Sequence, residues 1–109
     1  MNKSIRIAGK EIHYSVIGKG KPVMLVHGFG EMADVWKHQV EYLKAKYTLI
    51  IPDLPGSGKS AIIDDMSMEG MADVLKNIVD SEKLDQFALI GHSMGGYITL
   101  AFAAKFPEL

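Results

Sequence analysis

Gly91-His92-Ser93-Met94-Gly95-Gly96 stands between two runs of different character. Phe87-Ala88-Leu89-Ile90 leads into it as a short apolar stretch of buried-strand type, and the helix-like run Met94 to Phe106 leads out. The stretch matches G-x-S-x-G in a strand–turn–helix setting, where so tight a turn holds the serine backbone in a strained conformation. Glycines at 91 and 95 let neighbouring backbone pass where a Cβ would clash. Such a turn lifts the hydroxyl clear of the sheet at the N-terminus of a helix, where N–H groups and the helix dipole favour negative charge. Ser93 is therefore the candidate nucleophile. Taken alone, so short a pattern also fits a serine that merely caps a helix, and the surrounding sequence has to decide.

Two further segments do so. Val23-Met24-Leu25-Val26, a second apolar run, ends in His27-Gly28-Phe29-Gly30. Glycines after a buried strand let the chain turn outward and aim a backbone N–H at a forming oxyanion. A third apolar run, Tyr47 to Ile51, precedes Asp53-Leu54-Pro55-Gly56-Ser57-Gly58-Lys59-Ser60. In this order, H-G-F-G, D-x-x-G-x-G-x-S and G-H-S-M-G-G resemble the α/β-hydrolase superfamily, and the resemblance covers essentially the whole chain.

The resemblance implies an α/β fold in which residues 1–109 form the N-terminal half of a hydrolase domain. Its sheet would be mostly parallel, opened by an antiparallel hairpin, with helices on both faces. It also implies serine hydrolase chemistry on a carboxylic ester or related acyl substrate, through an acyl-enzyme at Ser93. The backbone N–H groups of Phe29 and Met94 would form the oxyanion hole, and Phe29, Ser93 and Met94 would contact the small-molecule substrate. No metal or cofactor is implied. Small carboxylesterases, including those that cleave pimeloyl esters, share the pattern most closely. Carbon–carbon hydrolases, perhydrolases and cofactor-free lyases share it too, since fold and elbow do not separate these chemistries. Serine at 93 in place of aspartate argues against the dehalogenase and epoxide-hydrolase branches, which use a carboxylate nucleophile.

Composition narrows the setting. A chain of 109 residues has room for one domain and buries roughly two-thirds of its unfolded surface. A net charge of −1 without a basic stripe points to neither nucleic acid nor an anionic membrane as partner. Without cysteine, neither a disulfide framework nor a thiolate metal site is available. Met1 to Arg6 is polar and no signal-peptide core follows, and no run approaches the roughly 20 apolar residues of a membrane span. A cytoplasmic protein is the expectation.

Along the chain, Ser4–Ile7 and Glu11–Ile17 alternate apolar with polar residues across Ala8-Gly9-Lys10, the pattern of a hairpin with one buried face. The spacing predicts a helix over 34–46, with Trp36, Val40 and Leu43 on one face, and another over 67–83 carrying Met68, Met71 and Ile78. Met68 and Met71 are simplest as core filler. Strands alternating with helices predict a parallel sheet with right-handed crossovers.

None of the four histidines fits the general base that a serine nucleophile needs. His92 adjoins Ser93 and must point elsewhere; His27 is structural in the family; His13 falls in the hairpin and is expected to be satisfied or solvent-facing. His38 sits on the polar side of its helix, and Asp53 buttresses its loop in the family. The family's acid and histidine come later in the chain than residue 109, so the 109 residues alone are expected to be inactive. A non-catalytic fragment, or one part of a split protein, is the competing reading. Phe87-Ala88-Leu89-Ile90 carries no charge or proline to discourage pairing, so self-association through an exposed sheet edge is expected. Two other patterns fail. Gly58-Lys59-Ser60 would end a phosphate loop, but the required first glycine falls on Asp53, whose carboxylate repels phosphate. Gly56 to Ala61 fits a dinucleotide fingerprint only without the flanking strand and helix that the motif needs.

Overall fold

A computed structural model describes residues 2–107; Met1, Glu108 and Leu109, the ends of the expected 1–109 domain, lie outside the described residues. Strands β1 (Asn2–Ile7) and β2 (Lys10–Gly18) form the antiparallel hairpin, with Ile5 opposite Ile12. β3 (Lys21–Val26), β4 (Tyr47–Pro52) and β5 (Ala88–Gly91) follow. The five strands make one sheet in the order β1-β2-β4-β3-β5. β2 runs antiparallel to β4, and β3 runs parallel to both β4 and β5. β3 pairs on both sides and buries both faces, which is why Val23 to Val26 is an uninterrupted apolar run rather than an alternating one.

Helices cover the two faces separately. α2 (Met68–Ser81) and α3 (Met94–Lys105) pack with Ile12, Tyr14, Met24, Val26 and Ile50 on one side. On the other side α1 (Lys37–Leu43) sets Val40, with Trp36 and Leu43, against Val23, Leu25, Leu49 and Ile51. Burying each such aliphatic side chain contributes about 1.5–3 kcal/mol, so the residues of β3 anchor both cores.

The helix predicted over 34–46 is shorter. Ala33–Trp36 is a 3-10 turn, and α1 ends at Leu43. No side chain caps its start, and at its end the Lys44 carbonyl accepts the Lys19 N–H (3.2 Å) where the chain turns into β4. α2 starts where expected, with Ser67 Oγ accepting the Gly70 N–H (3.0 Å). It stops before Lys83 because Lys83 adopts φ 57°. Leu84 N–H then reaches the Val79 carbonyl (3.0 Å) and Lys83 N–H the Asp80 carbonyl (3.2 Å), the paired bonds of a Schellman ending. Tyr14, fully buried on β2, donates to Glu82 just beyond α2, and Lys3 Nζ bonds the same carboxylate at 3.0 Å. This small network ties the hairpin to the helix layer.

Candidate active site

Ser93 lies at the mouth of the sheet, between the end of β5 and the first turn of α3. Its backbone sits at φ 56°, ψ −119°, and the His92 carbonyl accepts the Gly95 N–H at 2.9 Å. That is a type II′ turn with Ser93 at the first central position, which glycine normally takes. Ser93 is also the residue before α3, yet its side chain makes no capping bond, unlike Ser67 before α2. The capping explanation for Ser93 therefore fails, and the hydroxyl is exposed and uncommitted at a helix N-terminus.

Glycine is required on both sides of this turn. A Cβ on Gly91 would run into the Gly95 carbonyl, and one on Gly95 into the carbonyl oxygens of Val26 and His27. The second contact seats the start of α3 directly on the end of β3. The loop after β3 is consequently pressed against the elbow: a Cβ on Gly28 would lie 2.9 Å from Ser93 Cβ and 3.0 Å from the His92 carbonyl oxygen.

The orientation of that loop follows from His27, which is fully buried. Its Nε2 accepts the Leu54 N–H at 3.0 Å. Nδ1 therefore carries the proton and donates to the Gly28 carbonyl at 2.8 Å, a neutral tautomer dictated by both partners. The Glu31 N–H donates to the same carbonyl at 3.2 Å. Because a trans peptide points its C=O and N–H in opposite directions, pinning the Gly28 carbonyl fixes the direction of the Phe29 N–H. The Met94 N–H, in the first turn of α3, has no intrahelical acceptor.

Asp53 braces the neighbouring loop. One oxygen accepts the Ala33 N–H (2.8 Å), and the other accepts the Lys59 N–H (3.1 Å) and faces His13 Nδ1 (3.2 Å). A Cβ on Gly58 would collide with this carboxylate, so the space a phosphate would need is filled by negative charge. Residues 56–66 form no helix, and the dinucleotide pattern fails with it. His13 is only half satisfied: Nδ1 meets Asp53, while Nε2 is buried without a partner among the described residues.

Between the Phe29 loop, the loop at 55–66 and Met94 of the elbow, a cavity of about 500 Å³ is lined by Phe29, Pro55, Ile62, Met66, Met71 and Met94, among others, and by no charged side chain. Phe29 stands out from its loop, 86 % exposed. Met71 thus serves twice, as core on α2 and as cavity wall, where the sequence suggested core alone. Of the residues singled out from the sequence, Phe29 and Met94 line this cavity, while Ser93 lies against the Gly28 end of the Phe29 loop. The histidines do not join them as a base: His27 and His13 are held as described, and His38 is exposed on α1.

His92 turns its ring away to Glu31, with Nδ1 3.2 Å from Oε1, and to the edge of Trp36, ring centroids 6.5 Å apart. Glu31 was not recognised in the sequence. Its Oε1 accepts the Gly28 N–H at 2.6 Å, and these bonds, the Gly28 N–H first and the His92 ring next, hold the carboxyl below the usual carboxylate range. The legible signal was a glutamate three residues after a turning glycine, the spacing of a reciprocal cap. Among the described residues no three His, Asp or Glu side chains gather as a metal set, and no helix is long and apolar enough to cross a membrane.

The chain is similar to known proteins over part of their length. The chain is 38% identical over 96 residues to a pimeloyl-[acyl-carrier protein] methyl ester esterase of Legionella pneumophila, covering 88% of this chain and 37% of the relative. It is 32% identical over 111 residues to the (E)-2-((N-methylformamido)methylene)succinate hydrolase of Acinetobacter baylyi, covering 100% of this chain and 42% of the relative. Among solved structures, the epoxide hydrolase CorEH without ligand superposes with a TM-score of 0.95 at 29% identity, over 100% of this chain and 39% of that one. The chain thus spans about two-fifths of the length of these relatives. The family model described as alpha/beta hydrolase fold matches residues 21–109, and the chain belongs to that family.

Proposed function

We propose that the full-length protein is a serine hydrolase that cleaves a carboxylic ester or related acyl compound through an acyl-enzyme at Ser93. The observation that carries this reading is the uncapped, exposed hydroxyl of Ser93 in a type II′ turn that abuts the loop of Phe29. In the proposed reaction Ser93 Oγ attacks the acyl carbon and loses its proton to a general base. The negative charge that develops on the carbonyl oxygen is received by the Phe29 and Met94 N–H groups, each donor of this kind being worth about 10²–10³ in turnover. The C–O bond then breaks, the alcohol leaves with the proton, and water releases the acid by the same steps in reverse. The base and the carboxylate that orients it are assigned to the part of the protein outside these 109 residues, and the reaction needs no metal or cofactor.

The uncharged cavity supports an apolar acyl group, and the methyl ester esterase among the relatives supports an ester. The epoxide hydrolase likeness supports fold more than chemistry, because Ser93 stands where that branch uses a carboxylate. A cytoplasmic setting belongs to the same proposal. The test is labelling of the full-length protein by a fluorophosphonate probe. Ser93→Ala is expected to abolish labelling and ester cleavage together, and full activity in that variant would overturn the reading.

A further inference from the structure

Two loops from different strands have to hold the two oxyanion donors at a fixed separation. The Phe29 N–H belongs to the loop after β3 and the Met94 N–H to the elbow after β5. β3 and β5 are paired as far as Val26 and Gly91, and the His92 N–H still donates to the Val26 carbonyl at 2.9 Å. Past that point the strand ladder ends, and other contacts must keep the loops in register. Glu31 is the side chain that bonds to both. Its Oε1 accepts the Gly28 N–H (2.6 Å) and faces Nδ1 of His92 (3.2 Å), the residue immediately before the nucleophile. Its own N–H holds the Gly28 carbonyl. Gly28 is therefore gripped at both its N–H and its C=O, and the peptide carrying the Phe29 N–H has no freedom to turn over.

We propose that Glu31 is a positioning residue for the oxyanion hole, a clamp that ties the Phe29 loop to the Ser93 elbow and fixes the spacing of the two donors. The proposal rests on the serine-hydrolase reading given above. Because Glu31 takes the Gly28 N–H for itself, it also removes that donor from competition and leaves the Phe29 N–H as the one directed at the reacting oxygen. The carboxylate acts as a hydrogen-bond acceptor shared by two donors. A neutral acceptor of the same shape should therefore do most of the same work, whereas a truncated side chain should not.

Two measurements on the full-length protein test the clamp. In the first, Glu31→Ala is expected to lower kcat and the rate of fluorophosphonate labelling by roughly 10², the cost of displacing a catalytic group by about an ångström, with KM little changed. Glu31→Gln is expected to recover most of that loss. In the second, amide hydrogen exchange at Gly28 is expected to accelerate in Glu31→Ala and to stay slow in Glu31→Gln, whatever the reaction at Ser93. If the wild-type protein is not labelled at Ser93, the serine-hydrolase reading fails while the exchange result still judges the clamp. Wild-type labelling and Gly28 exchange in Glu31→Ala would overturn the clamp alone, as would a Glu31→Gln variant as slow as Glu31→Ala.

Discussion

Replacing Ser93 with glycine should make the protein more stable while destroying its proposed activity. At φ 56°, ψ −119° a residue with a Cβ is held where the backbone is sparsely populated, at a cost of about 1–3 kcal/mol. Alanine at 93 keeps the Cβ and therefore the strain, whereas glycine relieves it. Glycine also loosens the unfolded chain, which offsets about 0.4–1 kcal/mol of the gain. At the midpoints of these ranges, the difference between Ser93→Gly and Ser93→Ala, both lacking the hydroxyl, is then about 1.3 kcal/mol in favour of glycine. Ser93→Ala itself should lie within about 0.5 kcal/mol of wild type, because the hydroxyl makes no capping bond. Ser67→Ala supplies the control, since that hydroxyl does cap α2 and its loss costs about 1 kcal/mol. Urea unfolding of the full-length protein and its three variants measures all four values. If Ser93→Ala is as stable as Ser93→Gly, the elbow is not strained; if Ser93→Ala loses as much as Ser67→Ala, Ser93 is a cap after all.

Other consequences are open to the same kind of measurement. Gly91→Ala and Gly95→Ala drive a Cβ into backbone atoms, whereas at Gly96 the nearest atom is the Gly91 carbonyl oxygen at 4.0 Å. The first two are therefore expected to unfold at several degrees lower temperature than Gly96→Ala, and equal melting would refute the packing of α3 on β3. Burial pushes the Glu82 carboxyl up, but the Tyr14 hydroxyl and the Lys3 ammonium outweigh it and leave the group below its ordinary value. Its contribution to stability is then complete above the unfolded value of about 4.3 and lost as pH falls through the lower folded value. Tyr14→Phe should shrink that acid loss, and an unchanged pH dependence would refute the network. Finally, β5 pairs only with β3 among the described residues, and Ile90, Tyr97 and Leu100 are exposed beside it. We propose that the 109-residue chain expressed alone associates through this edge; a monodisperse monomer by light scattering would refute this.

Sheet, helices and elbow were legible because each has a local signature. Period-two alternation marks β1 and β2, unbroken apolar runs mark β3 and β4, and Gly-x-Ser-x-Gly between strand and helix marks the turn at 91–95. These patterns depend on neighbours in the chain, and so does the capping serine at 67.

Contacts between distant segments were another matter. Glu31 meets His92, 61 residues away, and Asp53 meets His13, 40 residues away. No periodicity in the chain encodes either pair, because each arises only when strands far apart in sequence lie side by side. The end of the helix at Leu43 is held in the same way, since the carbonyl of Lys44, the next residue, accepts the N–H of Lys19 in the turn entering β3. The double use of Met71 has the same origin, for the cavity exists only between α2, the loop at 55–66 and the elbow. Residues close together in the chain set which segments become strands and helices and which serine stands at the turn. Which side chains hold that turn in place emerges with the folded chain, because local conformation follows from neighbouring residues while the bracing of a site depends on what folding brings next to it.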